Sequence, residues 1–118
     1  MKHKISILDI LQVDGKILKE KESNMACYTG IITENIPKKT LFKYLYDKSN
    51  PRTLIEGDFT IKYIEILSKP SEELVSGYNA LVFIKSNIDI ETMKNLINLD
   101  EKDNITSIYE LSTIKPFV

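Results

Sequence analysis

Residues 59–69, FTIKYIEILSK, are rich in aromatic and β-branched side chains, a composition that predicts a β-strand. The alternation of apolar faces slips near Glu65, which indicates either a β-bulge or a strand buried on both faces. Residues 70–75, PSEELV, have an acidic first turn and are followed by Gly77, a pattern that predicts a short helix. Residues 80–84 are a continuous apolar run, typical of a central strand. Strand and helix signals therefore alternate in this region.

Two further elements are predicted on the N-terminal side of this region. Residues 25–33 have the composition of a strand. Pro37 suits the first turn of a helix and is followed by apolar side chains at helical spacing, which predicts a helix over residues 37–48. Asn50 and Pro51 then indicate a turn.

Residues 5–22 contain the pair Asp14-Gly15 between two apolar runs. Such a pair is a strong short-range signal for a two-residue hairpin turn, because glycine accepts a positive φ freely. Residues 6–14 also fit a short helix that begins at Ser6 and is closed by Gly15. The hairpin is preferred because the run is short for a stable helix, and both interpretations of residues 6–14 stay open.

Near the C-terminus, Asp89 is a suitable cap for a helix with a core-facing apolar stripe. The stripe consists of Ile90, Met93, Leu96, Ile97 and Leu99. An acidic and polar loop over residues 100–104 separates this helix from a final predicted strand over residues 105–114.

The predicted order is a β-hairpin, a strand, a helix, a strand, a short helix, a strand, a helix and a final strand. This order predicts one α+β domain over residues 1–118, a mostly antiparallel sheet of about four to six strands with the two main helices on one face. A ferredoxin-like sandwich is the preferred arrangement. The alternative is a small β-barrel of the oligonucleotide-binding kind, with a helix after its third strand.

The 16 basic and 17 acidic side chains leave a net charge of −1, so no global field attracts nucleic acid. Arg52 is the sole arginine, which disfavours sequence-specific reading of DNA because the bidentate guanidinium contact is almost absent. One cysteine and one histidine supply neither a disulfide nor the ligands of a zinc site, so no metal and no cofactor is predicted. Every apolar run falls short of the roughly 20 residues that span a bilayer, which predicts a cytoplasmic protein without membrane contact.

Cys27, within NMACYTGIIT (residues 24–33), is the single thiol of the chain. A reactive thiolate needs a neighbouring base or positive charge, and the single histidine, His3, lies at the terminus. Strand periodicity puts Met25, Cys27 and Ile31 on one face, where a free cysteine behaves as a small apolar residue. A structural role in the core is therefore favoured over catalysis.

Paired carboxylates can act as an acid and a base when the fold separates their pKa values. The candidates are the pair Glu56 and Asp58, and the cluster Asp100, Glu101 and Asp103. Both sets lie in predicted loops, where acidic side chains are usually solvated. They are therefore the less favoured kind of site, and no catalytic residue is assigned.

The strongest surface candidate is the predicted helix over residues 37–48 together with the residues just beyond it. Basic and aromatic side chains are interleaved there, a mixture that can follow a phosphate backbone while the rings stack on bases. This basic set consists of Lys38, Lys39, Lys43, Tyr44, Tyr46, Lys48 and Arg52. An amphipathic helix with solvated lysines and buried leucines is the favoured alternative.

Tyr28, Tyr63, Tyr78 and Tyr109 lie in or next to predicted strands, and those on an uncovered sheet face would form a contact surface for protein recognition. We therefore expect a small non-catalytic binding protein that occupies a surface of a protein partner, such as an inhibitor, an immunity protein or an adaptor. The chain is rich in isoleucine, lysine and asparagine, as AT-rich genomes impose, and short chains of this kind without motifs are common in viruses and mobile elements. A homodimer through an open strand edge is a further expectation. The alternatives are nucleic-acid binding through the basic set, and a small-ligand sensor or acid–base enzyme that uses the loop carboxylates.

Overall fold

The computed structural model of the chain describes residues 2–13, 22–95 and 108–116. Within these residues the regular structure is almost entirely strand, with one helical segment at residues 90–95. The strands are β1 (Lys4–Val13), β2 (Met25–Thr29), β3 (Ile36–Pro37), β4 (Leu41–Asp47), β5 (Asn50–Ile66), β6 (Lys69–Ser71), β7 (Glu73–Leu74), β8 (Leu81–Ser86) and β9 (Tyr109–Ser112). In the part of the chain that is described, no helix has the length and apolar character needed to cross a membrane.

Six strands close into a barrel in the order β4-β9-β1-β2-β8-β5, and β5 pairs back onto β4. Every pairing in the barrel is antiparallel. Around the barrel, β4, β5 and β8 lie side by side in chain order, and β9 returns to pair with β4 on its other side. This is the strand order of a Greek key. β6 extends the sheet beyond β5, and β3 and β7 form a separate two-stranded ladder.

The interior of the barrel is filled by inward-facing side chains of its strands. Ile5, Leu111 and Leu45 form one inward row across β1, β9 and β4, and each is at most 1 % exposed. Phe42 and Phe59 are paired across β4 and β5 and are fully buried. The barrel therefore encloses a packed apolar core.

The predicted helix over residues 37–48 is wrong, and with it the α+β class and the ferredoxin-like sandwich. These residues form the end of β3, a turn, and β4. The register between β4 and β5 shifts between Phe42 and Tyr44, so Phe42 and Leu45 are both fully buried at a spacing of three. A bulged strand therefore reproduces the apolar spacing of a helix.

The predicted short helix over residues 70–75 is also wrong, because these residues contribute to β6 and β7. Gly77 has a φ of 94° and lies in a turn whose closing hydrogen bond runs from the Tyr78 N–H to the Val75 carbonyl oxygen at 3.3 Å. Glycine is favoured at this φ because it lacks a Cβ atom. Gly77 therefore marks a tight turn between strands and not the end of a helix.

The alternative fold, an oligonucleotide-binding type of barrel, shares with the structure a barrel with Greek-key strand order. The predicted helix after its third strand is wrong, since β4 continues through a turn at residues 48–49 directly into β5. The barrel also has six strands, whereas that fold has five.

Several predicted strands are confirmed. Residues 6–13 belong to β1, so the helical interpretation is wrong there, whereas the predicted turn at Asp14 and Gly15 lies outside the described residues. The predicted strand over residues 25–33 is shorter than expected and ends at Thr29. The predicted final strand is present as β9.

The predictions for β8 and the last helix are confirmed in the parts that are described. The predicted strand over residues 59–69 is confirmed over residues 59–66 as part of the longer β5, but residues 67 and 68 form a turn. The turn predicted at Asn50 and Pro51 is wrong, because β5 begins at Asn50. The register between β5 and β8 shifts between Ile61 and Tyr63, close to the predicted slip in alternation. β8 pairs with both β2 and β5, as expected for a central strand. The Thr92 N–H donates to Asp89 Oδ1 at 2.8 Å, which caps the helical segment. Residues 96–107 lie outside the described residues.

Candidate functional site

A row of four side chains crosses the outer face of the barrel, one each from β1, β2, β8 and β5. Tyr28 of β2 pairs with Asp9 on one side and with Leu81 on the other. Leu81 pairs in turn with Glu65 of β5. Directly paired residues of antiparallel strands point to the same face of a sheet. Tyr28 is 48 % exposed whereas its neighbour Cys27 is fully buried, so the row lies on the outside.

This row borders an open cleft of about 250 Å³, called here the Tyr28 cleft. It is lined by Tyr28, Glu65, Leu67, Ser68, Asn79, Ala80 and Leu81. Leu67, in the turn between β5 and β6, is 76 % exposed. Of the described residues that line the cleft, only Glu65 is charged. The cleft therefore combines apolar walls with one carboxylate.

Hydrogen bonds tie one wall of the Tyr28 cleft to β2. The Asn79 Nδ2 atom donates to the Thr29 carbonyl oxygen at 3.0 Å. The Ala80 N–H donates to Thr29 Oγ1 at 2.9 Å, and the Thr29 N–H donates to the Ala80 carbonyl oxygen at 2.9 Å. Residues 79 and 80 are thus fixed beside Tyr28. A preformed wall of this kind loses little conformational entropy when a ligand binds.

Two half-buried aromatic rings continue the outer face along β5 and β8. The rings of Tyr63 and Phe83 meet edge to face, with centroids 5.4 Å apart and planes inclined by 60°. The Tyr63 hydroxyl donates to Glu65 Oε2 at 2.7 Å, and this bond raises the pKa of Tyr63. The Glu65 carboxylate is therefore held in one orientation at the edge of the cleft.

The two acidic side chains of the row have no basic partner in the part of the chain that the structure describes. Neither Asp9 nor Glu65 forms an ion pair with another residue in the described ranges. Asp9 is exposed and Glu65 is half-buried. An uncompensated carboxylate at a partly desolvated site attracts a cationic group.

The residues of the basic set do not form one basic surface on a helix. Lys38 and Lys39 lie in the turn before β4, Lys43 lies on β4, Lys48 lies in the turn after it, and Arg52 lies on β5. Three of these bases pair with carboxylates. Lys38 Nζ lies 3.7 Å from Glu72 Oε2, Lys48 Nζ lies 3.5 Å from Glu110 Oε2, and Lys43 bonds to Asp58. Of the five bases in the set, Lys39 and Arg52 form no ion pair within the described residues.

The two tyrosines of the basic set differ in their exposure. Tyr46 is 3 % exposed, and its hydroxyl donates to the buried Glu110 carboxylate. Burial raises the pKa of Tyr46, and the hydrogen bond to Glu110 raises it further. Tyr44 is half-buried on β4. Tyr46 is therefore unable to stack on a base, and Tyr44 presents only part of its ring.

The acidic pair Glu56 and Asp58 lies on β5 beside the basic set. Tyr44 pairs with Glu56, and the Lys43 ammonium group bonds to the Asp58 carboxylate, which raises the pKa of Lys43. The structure therefore brings two separately predicted sites together, and Asp58 is neutralised by Lys43. Neither acid lines the Tyr28 cleft. The cluster Asp100, Glu101 and Asp103 lies outside the described residues.

Cys27 is fully buried between β1 and β8, where it pairs with Ile10 and Val82. Burial raises the pKa of its thiol, and the charge of Asp9 raises it further, so the thiolate is disfavoured. Ile31, predicted to share its buried face, is instead exposed because β2 ends at Thr29.

Cys27→Ala is expected to lower the free energy of unfolding by about 1 to 2 kcal/mol, because a small cavity replaces the buried sulfur. Urea denaturation followed by circular dichroism measures this change. As a control, the native wild-type thiol should react with a disulfide reagent only as fast as the protein unfolds. Rapid labelling of the native protein would contradict the assignment of Cys27 to the core.

Two of the predicted contact tyrosines are exposed, Tyr28 at 48 % and Tyr78 at 44 %, whereas Tyr63 is half-buried and Tyr109 is buried. Sequence reasoning found Tyr28 but missed its partners in the row and in the cleft. Leu67 was missed because residues 59–69 were predicted as one strand, whereas the structure has a turn at residues 67 and 68.

Comparisons with protein-family models, with curated proteins and with solved structures found no match for this chain. What the Tyr28 cleft can bind is therefore inferred from its own shape and charge.

Proposed function

We propose that this chain is a small protein-binding module whose Tyr28 cleft takes up a segment of a partner polypeptide with a large apolar side chain next to a lysine or arginine. The observation that carries this proposal is an apolar cleft beside a row of side chains. The two carboxylates of that row have no basic partner among the described residues. The partner's apolar side chain lies in the cleft, and its basic group lies beside Glu65 or Asp9.

The size of the cleft favours one side chain over a whole small molecule. Pockets for small ligands usually enclose roughly 300 to 1,000 Å³. The Tyr28 cleft, at about 250 Å³, is smaller and open on its outer side. Exposed tyrosine and leucine side chains at such a site supply a large contact area that excludes water when a partner packs on it.

The charge of the row favours a basic polypeptide over nucleic acid. Asp9 and Glu65 repel phosphates, and they complement a lysine or arginine of the partner. The nucleic-acid alternative relied on the basic set, but three of its bases are ion-paired and Tyr46 is buried. Protein binding at the Tyr28 cleft is therefore the better-supported function.

Tyr28→Ala tests this function with a random dodecapeptide library displayed on phage. Panning on the wild-type protein should enrich peptides with an aromatic or aliphatic side chain next to Lys or Arg. Tyr28→Ala should weaken binding of the enriched peptides by about 30-fold or more, because it removes a central aromatic contact. The affinities are measured by fluorescence anisotropy with synthetic peptides.

Tyr78→Ala is the matched control, because Tyr78 is a similarly exposed tyrosine that does not line the cleft. Its affinity for the peptides should stay within about twofold of wild type. No enrichment on the wild-type protein, or equal binding by Tyr28→Ala, would overturn the proposal. If the wild-type protein dimerises at high concentration and Tyr28→Ala abolishes the dimer, this face is instead a contact between two copies of the chain.

A further inference from the structure

The turn between β5 and β6 has an unusual composition for its geometry. Ile66 pairs with Lys69, so Leu67 and Ser68 form a two-residue hairpin loop. Their φ angles are 52° and 64°, and positive φ at both positions is the mark of a type I′ turn. This turn strongly favours Asn-Gly or Asp-Gly, because other side chains crowd the backbone in the left-handed region.

Neither the turn nor the core accounts for a leucine at position 67. Leucine has no polar atom that could compensate for left-handed geometry through a local hydrogen bond, as asparagine can. Its side chain is the most exposed of the large apolar side chains in the described residues, at 76 %. Leu67 therefore costs stability in the turn and recovers little by burial. A strained residue of this kind marks a functional constraint.

We infer that Leu67 is a binding residue of the Tyr28 cleft and is kept in the turn, despite its cost, to form an apolar wall there; this inference rests on the proposed function. Leu67 and Tyr28 line the same cleft, and the partner's apolar side chain packs between them. The two-residue loop has little freedom to move, because the Ile66 and Lys69 pair closes it directly. The backbone of Leu67 is thus held in a fixed position, which lowers the backbone entropy lost on binding.

Leu67→Asn separates the two roles, because asparagine fits the left-handed turn but removes the apolar wall. Its melting temperature should rise by about 3 to 6 °C, while its affinity for the peptides enriched on the wild-type protein should fall about tenfold. Ser68→Gly relieves strain in the same turn and keeps the leucine. Its melting temperature should rise by a similar few degrees, and its affinity for the peptides should fall less than that of Leu67→Asn, because the apolar wall remains. Leu67→Met keeps both an apolar side chain and the strain, so its melting temperature and its affinity for the peptides should stay close to those of the wild type.

The measurements are thermal denaturation of each variant and fluorescence anisotropy with the same peptides. If Leu67→Asn binds as well as wild type while Tyr28→Ala does not, the role of Leu67 is overturned and the proposed function stands. If Leu67→Asn melts at a lower temperature, Leu67 is structural and the inference is also overturned. A library that enriches nothing on the wild-type protein overturns the proposed function and this inference together.

Discussion

Phe59→Ala is expected to lower the free energy of unfolding by about 3 to 5 kcal/mol. Phe59 is fully buried at the seam of the barrel, where β5 pairs with β4 through Phe42 and with β8 through Ser86. Its loss leaves a cavity where the sheet closes on itself. Because domains of this size are stable by only about 5 to 15 kcal/mol, the variant should unfold at a much lower urea concentration.

Circular dichroism is the suitable measurement, since the chain contains no tryptophan for fluorescence. Thr60→Ala is the control, because Thr60 is the next residue of β5 and is only half-buried. It should cost less than about 1 kcal/mol. If Phe59→Ala also lowers the free energy of unfolding by less than about 1 kcal/mol, the side chain of Phe59 is not part of a packed core where β5 pairs with β4 and β8.

The second large effect is expected at Gly57, which lies on β5 beneath the segment that follows β8. A Cβ atom at position 57 would lie 2.6 Å from Ile88 Cδ1 and 2.9 Å from Asn87 Oδ1, closer than atoms pack. Asn87 cannot move away freely, because its Oδ1 accepts a hydrogen bond from the Asp58 N–H at 2.8 Å. Gly57→Ala should therefore cost about 1 to 3 kcal/mol in urea denaturation.

A second substitution tests whether this cost is a steric clash. Ile88→Ala removes the two Ile88 atoms that the new Cβ would meet, so Gly57→Ala should cost less in its presence. Gly77→Ala is the control, because a Cβ atom there meets nothing within 4 Å and is disfavoured only by the φ of 94°. Ile88→Ala should not rescue Gly77→Ala. Additive costs at Gly57 and Ile88 would show that no clash couples them.

The candidate site was only partly predictable from the sequence. The outward orientation of Tyr28 follows from its position beside a buried cysteine in a strand, since adjacent residues point to opposite faces. The neighbours of Tyr28 in the row, Asp9 and Leu81, depend on strand pairing, and the pairing with β1 contains a register shift between Ile7 and Asp9. A shift of one residue moves a side chain to the other face. No local pattern encodes which residues then become neighbours.

Most of the strands could be predicted from the sequence, because aromatic and β-branched composition acts within a few residues. The helix over residues 37–48 was predicted wrongly because the bulged strand β4 mimics helical spacing, and local propensity yields to burial in a sheet. The basic set was misjudged for the same reason, since its residues were assigned to one helix face.

The sequence by itself determined that the chain is rich in strands, that Cys27 is buried and that Tyr28 faces outward. Only the tertiary structure decided that the sheet closes into a barrel, because closure depends on β9 reaching both β1 and β4 from far along the chain. It also decided that acids neutralise three of the five bases of the basic set and that Leu67 borders the Tyr28 cleft. These features arise from contacts between residues that are distant in the chain. The free energy of those contacts comes from burial and strand pairing, which no short segment of sequence determines.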